Sequence, residues 1–335
     1  MLKITYQSVL VFLIFMCLSC SSCSNEIDPN YLPTFDPIDV DENTVFMFSR
    51  KDDKVHKIYA IDTKNSKKIY TYEFKRKIIY SFEYDASFDM NPYILLNGGE
   101  VLKLEVKTGK VKRLDLQYAQ ASICITDNKL WINQYQGGSE NTPKEYHIYD
   151  PKTDKIEKTT LPEGVYFGYA GSIDNSYYLP LYYGDGIPAK IYNLTTKRII
   201  SNNLLSKEYD VFYFELDNYL LASVPDSTKL DLYFINSIDP LFSYNYLFSV
   251  DAQETLLFAK MFEDDNYIYL VSREDIIKRN KNNNYAIEKI VSFDNKSSGG
   301  SGGTYCKNGY IWLTSENDDG AYKINMSDLS YEVVK

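Results

Sequence analysis

His56 and His147 are the only histidines in this 335-residue chain. No Ser-His-Asp or Cys-His set can be assembled around them. His147 falls in a column of otherwise apolar strand residues, where a hydrogen-bonded structural histidine is expected. His56 stands where a loop enters a strand, an ordinary place for a solvated side chain. The densest run of oxygen ligands is Glu316-Asn317-Asp318-Asp319-Gly320. It lacks the spacing of a calcium loop and the distal bidentate Glu, so it reads as a solvated hairpin loop and no metal site is expected. Beyond residue 24 only Cys124 and Cys306 remain of five cysteines. They read as small core residues on strands too far apart to bond. Carboxylate chemistry, as in a polysaccharide lyase or hydrolase, would need acids converging from Asp185, Glu316 and Asp318.

A repeat has to position these residues. An acid or amide ends a short apolar strand and opens a polar turn at Asp62, Glu105, Asp150, Asn193, Asn236, Asn280 and Asn325, with spacings of 43, 45, 43, 43, 44 and 45 residues. Upstream of each anchor an Asn marks a second tight turn, at Asn43, Asn91, Asn128, Asn175, Asn218, Asn266 and Asn308. A period in the low forties built from short strands is the signature of a β-propeller. Seven anchors predict an all-β, seven-bladed propeller of four-stranded antiparallel blades over residues 37–335, with six or eight blades as the alternatives.

Blade three shows the plan. Ser122–Thr126 is the inner strand, Asp127-Asn128 a two-residue hairpin that tolerates positive φ, and Lys129–Tyr135 the second strand. Glu145–Tyr149 is the third, and Asp150 turns the chain into Lys155–Leu161. An Asp or Asn at the anchor should accept a hydrogen bond from the backbone N–H two residues on, and Gly109 supplies a left-handed position. One residue before the anchors stand Ile61, Leu104, Tyr149, Tyr192, Ile235, Arg279 and Ile324; three before stand Tyr59, Leu102, His147, Lys190, Tyr233, Ile277 and Tyr322. Both columns should pack against a neighbouring blade, with Arg279 and Lys190 snorkelling to an edge. The 32 Tyr and 17 Phe, against 2 Trp, are expected to fill the seams between blades. Ile38-Asp39-Val40 is the expected inner strand of blade one. Blade seven has four candidate strands of its own, so the ring should close by packing alone.

With strands followed by Glu105-Val106-Lys107-Thr108-Gly109-Lys110 and Asp150-Pro151-Lys152-Thr153-Asp154-Lys155, the chain resembles the YVTN-type and quinoprotein-like propellers, whose blades carry Asp-x-x-Thr-Gly-Lys. The resemblance covers residues 37–335 and implies fold far more than activity. Its enzymatic members hold a quinone and carry a recurrent Trp in each blade and a vicinal Cys pair. This chain has only Trp131 and Trp312, so no cofactor is expected. The WD dipeptide, the paired glycines of kelch repeats and the Asp-box of sialidases are absent as well.

The first residues read as a targeting segment. Lys3 supplies a positive start, and Val9–Leu18 is an apolar run far short of the roughly 20 residues that span a bilayer. Leu18-Ser19-Cys20-Ser21-Ser22-Cys23 follows. This resembles a bacterial lipoprotein signal, which implies a signal peptide over 1–19 and lipidation at Cys20, with Cys23 as the alternative, by acyl chains such as palmitate. Glu26 and Asp28 behind the cysteines are compatible with the outer membrane, on its periplasmic or cell-surface face. Pro29, Pro33 and Pro37 punctuate a tether over 20–36. Multiple acyl chains would hold the domain on the membrane through its N-terminus alone.

Charge excludes one class of partner. Lys and Arg number 36 against 46 Asp and Glu, a net −10, and no basic stripe offsets it, so nucleic acid binding is disfavoured. The remaining candidate surface is the rim, where loops from second to third strands surround the channel mouth. Tyr135, Tyr182, Tyr183, Asp185, Arg50, Arg273 and Glu316 stand in the richest of these loops. Exposed Tyr beside Gly and Asp suits a carbohydrate or a peptide. The sequence therefore reads as a monomeric envelope lipoprotein, a non-catalytic binding or scaffold module for a protein or glycan. A polysaccharide-processing enzyme with its site at the channel mouth is the alternative.

Overall fold

In the computed structural model, Phe35–Lys335 forms one unit. The structure describes residues 35–51, 55–74, 79–85, 87–96, 98–116, 120–134, 144–162, 171–173, 176–181, 190–200, 211–215, 218–223, 229–238, 243–251, 258–272, 275–293, 303–315 and 320–335. These form seven antiparallel sheets, the blades of a seven-bladed propeller. Blade one has β1 (Thr44–Lys51), β2 (Val55–Asp62) and β3 (Lys67–Phe74). Blade two has β4 (Ile79–Asp85), β5 (Asp89–Leu96), β6 (Val101–Glu105) and β7 (Lys110–Arg113). Blade three has β8 (Gln120–Thr126), β9 (Lys129–Gln134), β10 (Lys144–Asp150) and β11 (Lys155–Leu161). Blade four follows with β12 (Gly171–Ile173), β13 (Ser176–Leu181), β14 (Lys190–Asn193) and β15 (Arg198–Ile200). Blade five has β16 (Val211–Glu215), β17 (Tyr219–Ser223), β18 (Lys229–Ser237) and β19 (Ser243–Asp251). Blade six has β20 (Phe258–Glu263), β21 (Tyr267–Ser272), β22 (Asp275–Asn280) and β23 (Ala286–Ser292). Blade seven has β24 (Thr304–Lys307), β25 (Tyr310–Ser315), β26 (Gly320–Asn325) and β27 (Tyr331–Val334). Within each sheet the strands pair in chain order.

The two turn devices form as their side chains require. Asp62 Oδ1 accepts from the Lys64 and Asn65 N–H groups at 2.9 and 3.2 Å. Asn193 Oδ1 accepts from Thr195 and Thr196 at 2.9 and 2.8 Å, and Asp150, Asn280 and Asn325 each accept from the residue two on. Four residues past the anchor the backbone is left-handed, at Ser66, Gly109, Asp154, Lys197, Asn284 and Leu329. Only blade two fills that position with Gly. The upstream Asn turns meet the anchor turns directly: Asn91 Oδ1 accepts from Val106 N–H at 3.0 Å, and the Asn43 and Asn266 carbonyls accept from Thr63 and Lys281 at 3.0 and 2.8 Å. In blades one, two and six the two-part phrase is thus one clamp.

Apolar clusters fill the seams. Tyr93, Leu95 and Val101 of blade two pack with Ile123, Leu130 and Tyr149 of blade three. Equivalent clusters join blades three to four, four to five, five to six and six to seven. The column one residue before the anchors is buried throughout, from Ile61 to Ile324. Arg279 corrects one expectation: it does not reach an edge but is 9% exposed. Its guanidinium lies 4.4 Å from the Phe248 ring centroid and donates to the Tyr285 carbonyl at 3.1 Å. Stacking on an aromatic face lets a planar cation replace an aliphatic residue there. His147, 2% exposed on β10, belongs to the buried column, as expected.

The tyrosines combine ring burial with a polar tip. Tyr149 donates to Asp154 at 2.8 Å, Tyr219 to Glu263 at 2.6 Å and Tyr269 to Asp264 at 2.7 Å. Lys103 lies 5.8 and 5.7 Å from the centroids of Tyr93 and Tyr149 while pairing with Asp89 at 2.8 Å. Lys278 lies 3.9 Å from the Tyr267 ring and donates to the Ser327 carbonyl at 2.7 Å. Rings therefore seal the seams, and hydroxyls and lysines finish them at the rim.

Ring closure departs from expectation at blade one. Ile38–Val40 is not a strand. Instead Phe35 N–H donates to Gly109 O at 2.9 Å and Ile38 N–H to Val106 O at 2.8 Å, and the Phe35 ring lies against Tyr70 and Tyr72. The anchor turn of blade two, kept free of side-chain bulk by Gly109, captures the segment outside the ring. Among the described residues blade one has three strands, with β1 at its inner edge. Val45, Met47, Tyr59 and Ile61 pack on Trp312, Ala321 and Val334 of blade seven, which supplies its own four strands as expected. Closure is not by packing alone, since Tyr59 donates to the Gly320 carbonyl and Asn308 to Thr63 Oγ1 at 3.1 Å.

Candidate functional site

The first strand of each blade is its inner strand, and Glu83 and Lys260 are charges inside two of them. Glu83 lies on β4 opposite Tyr93, beside a register shift between Glu83 and Asp85. Lys260 lies on β20 beside a shift between Phe258 and Lys260. A bulge bends its strand and locally interrupts the ladder. Met261 and Phe262, next to Lys260, remain buried in seam clusters.

The electrostatics tie these residues together across the ring. Burial pushes the Glu83 carboxyl up to about 7. The Lys260 charge and a hydrogen bond from the Ile125 backbone pull it down, and the Asp85 charge adds a smaller upward push. Desolvation disfavours the charged form of an acid, and a cation restores part of it. On blade three, burial and the Glu83 charge push the Cys124 thiol up, with Lys260 opposing. On blade seven, burial, then Tyr84 and then Glu83, raise the Tyr305 hydroxyl well above its ordinary value. Blades two, three, six and seven therefore share one electrostatic neighbourhood around Glu83.

A protonated Cys124 is a poor nucleophile at neutral pH. A carboxyl pushed up to about 7 by burial can take up or release a proton near neutral pH. Among the described residues no group of three His, Cys, Asp or Glu side chains is placed to hold a metal ion. Cys124 and Cys306 are free thiols, and Cys124 packs beside the Trp131 cluster as a small core residue. Cys306 corrects the same expectation: it is exposed, with its sulfur 3.4 Å from Met326 Sδ, because β24 ends there at the Asn308 turn.

The rim residues named from the sequence are placed differently. Tyr135, Tyr182, Tyr183, Asp185, Arg273 and Glu316 lie outside the described residues, as do Cys20, Cys23 and Asp318. Arg50 is on β1 opposite His56, near the strand end, and its side chain is outside the description. Glu83 and Lys260 were missed by sequence reasoning. The available signal was a charge inside the apolar inner strands Ile79–Asp85 and Phe258–Glu263. The register shifts beside those charges have no sequence marker.

No family model matches the sequence, and no curated protein sequence matches it. Solved structures do resemble it. Dihydro-heme d1 dehydrogenase NirN, in complex with DHE, superposes with a TM-score of 0.57 at 10% identity, covering 90% of this chain and 75% of that one. A functionally unknown protein from Desulfotomaculum acetoxidans DSM 771 superposes at 0.54 and 10% identity, covering 87% and 94%. PorZ of Porphyromonas gingivalis, an essential bacterial surface component of the type-IX secretion system, superposes at 0.51 and 12% identity over 88% of this chain and 39% of its own. At such identities the likeness concerns the backbone alone, and what it establishes, together with the seven sheets, is that this chain is a β-propeller.

Proposed function

We propose that this protein is a bacterial envelope lipoprotein whose seven-bladed propeller is a non-catalytic binding or scaffold module for another envelope protein or a glycan. The observation that carries this reading is the order of segments. Lys3, the apolar run Val9–Leu18 and the cysteines Cys20 and Cys23 stand directly before a Pro-punctuated stretch and then a propeller. Lipid on Cys20, or on Cys23 as the alternative, anchors the chain; residues 20–36 tether it; residues 37–335 present the rim, including Tyr135, Tyr182 and Tyr183, as a monomer. Among the described residues no helix is long and apolar enough to cross a membrane. PorZ, which shares the fold, is itself a bacterial surface component of a secretion machine, which favours a protein partner over a glycan.

Detergent phase partitioning of the wild type, Cys20→Ala and Cys23→Ala tests the anchor. The wild type is expected in the detergent phase, and one of the two variants in the aqueous phase. A wild type that stays aqueous with both cysteines intact overturns it. Crosslinking in intact cells, with and without Tyr182→Ala and Tyr183→Ala, tests the rim. One envelope protein should be recovered with the wild type and lost with the double variant.

A further inference from the structure

Blade five has an outer strand unlike the rest. The other outer strands, β3, β7, β11, β15, β23 and β27, each carry at least one Lys, Arg or Glu. Charge on an edge strand keeps other molecules off it. Among the described residues β19 is the open edge of blade five, and it carries no charge from Ser243 to Val250. Its first residues, Ser243 to Tyr246, are all exposed, Tyr244 by 38% and Tyr246 by 55%. Register gathers the functional groups of this strand on one side. Asp231, Tyr233 and Ile235 alternate along β18 and so share a face, and opposite them stand Ser249, Tyr246 and Tyr244. The shift between Leu232 and Tyr233 is what brings Ser249 to the same face as Tyr246.

The groups on this face hold one another in place. The Tyr246 hydroxyl lies 2.9 Å from Ser249 Oγ, and Ser249 donates to Asp231 Oδ1 at 2.6 Å. Asp231 Oδ2 accepts from the Tyr233 hydroxyl only at a long 3.3 Å, so it keeps capacity for a further donor. The Tyr233 ring braces both exposed tyrosines, with centroids 5.6 Å from Tyr244 and 5.8 Å from Tyr246 at interplanar angles of 83° and 69°. An edge-to-face contact covers at most one face of each ring. Fixed rings with an open face beside a carboxylate suit a sugar, whose C–H groups lie on the aromatic face and whose hydroxyls donate to the acid. Lys229 stands on the same face across from Asp251, so a ligand meets both signs of charge nearby and one with neither is favoured. A peptide adding as a strand is disfavoured, because shifts at Leu232/Tyr233 and at Ile235/Ser237 interrupt the ladder that it would extend. We propose that the outer face of blade five is a binding site for a neutral glycan, with a pyranose ring stacked on Tyr246 beside Tyr244 and its hydroxyls held by Asp231 and Ser249. This site lies on the outer edge of one blade, apart from the rim loops, and does not depend on what those loops bind.

Native affinity electrophoresis of the purified full chain in non-ionic detergent tests the proposal. The gels contain a soluble neutral polysaccharide (mixed-linkage β-glucan, xylan, galactomannan or amylopectin), with polygalacturonate as the charged control. At least one neutral polymer is expected to slow the wild type relative to a polymer-free gel, and polygalacturonate is not. Tyr246→Ala should weaken that retention about tenfold, as loss of an aromatic anchor does. Tyr246→Phe keeps the ring and should be retained like the wild type. Asp231→Asn should weaken retention as well, because a charged acceptor is replaced by a neutral one. Tyr246 is more than half exposed, so its variants retain the fold even if the Asp231 variant does not. The proposal is overturned if no neutral polymer slows the wild type, or if Tyr246→Ala is slowed as much. Retention that survives Tyr246→Ala but is lost in the Tyr182→Ala, Tyr183→Ala double variant would place the glycan at the rim. Loss of the crosslinked envelope protein in Tyr246→Ala, with no polymer bound by the wild type, would make this face a protein contact instead.

Discussion

Tyr305, on the inner strand of blade seven, donates its hydroxyl to the Phe46 carbonyl of blade one at 2.7 Å. Tyr84, on the inner strand of blade two, does the same for Thr44 at 3.0 Å. Alternate residues of an antiparallel strand turn their carbonyls away from the paired neighbour. Along β1 those carbonyls would ordinarily meet a fourth strand, and among the described residues blade one has three. Two tyrosine hydroxyls stand in for it. Their rings also touch, with centroids 6.2 Å apart, and Tyr84 packs edge-on against Phe46 at 4.8 Å. Blades seven and two are thereby tied together across the thin blade between them.

Removing either hydroxyl should leave a buried carbonyl without a donor. Tyr305→Phe and Tyr84→Phe are each expected to lower stability by about 1–3 kcal/mol. The urea midpoint should fall with little change in the slope of the transition. Tyr246→Phe, whose exposed hydroxyl bonds to Ser249, should stay within about 0.5 kcal/mol. A Tyr305→Phe midpoint equal to that of the wild type would show that the caps do not close the ring.

Gly109 and Gly309 separate two roles of glycine. Both are left-handed, with φ of +69° and +78°. A Cβ on Gly109 would stand 2.0 Å from the Phe35 carbonyl oxygen, whereas one on Gly309 meets nothing within 4 Å. Gly309→Ala should cost about 1–2 kcal/mol, the left-handed penalty alone. Gly109→Ala should cost more and release residues 35–38 from blade two, which hydrogen exchange at the Phe35 and Ile38 amides would detect as lost protection.

The acid on the inner strand β4 makes stability depend on pH in a defined direction. Glu83 is raised from 4.5 to about 7 on folding, so the folded state holds this proton more tightly than the unfolded chain. Its contribution is favourable below about 4.5, declines as pH rises toward about 7, and is a full penalty above that. Glu83→Gln should therefore stabilise the protein by about 1–3 kcal/mol at pH 8 and leave it nearly unchanged at pH 4. Chemical denaturation at the two pH values checks this, and equal effects at both would contradict it.

Anchor residues should differ according to burial. Asn193 is 1% exposed and accepts two backbone N–H groups, whereas the more open Asp150 accepts from Lys152 at 2.8 Å. Asn193→Ala is expected to cost about 1–3 kcal/mol and Asp150→Ala less than about 1. Thermal melts of the two variants give the order directly.

The anchor turns and the buried columns were legible because each depends on residues close in sequence. Asp62, Asp150 and Asn193 accept from N–H groups two or three positions away, and Tyr59, His147 and Ile277 follow the two-residue period of a strand. The left-handed position four past each anchor was visible only at Gly109. Ser66, Lys197 and Leu329 adopt it because the turn imposes it, and nothing in those residue types announces it. Arg279 was misplaced because its aromatic support, Phe248, comes from another blade.

By itself the sequence determined the number of blades, the strands within them and the two turns that clamp each blade, since hydrophobic period and Asx hydrogen bonding act over a few residues. Only the tertiary structure decided that Ile38–Val40 pairs with the anchor turn of blade two, that Tyr84 and Tyr305 cap the edge of blade one, and that the Lys260 charge acts on Glu83 from another blade. These depend on blades far apart in the chain being brought together when the ring closes. A seven-fold local rule specifies the blades; the interior of the ring exists only once they close.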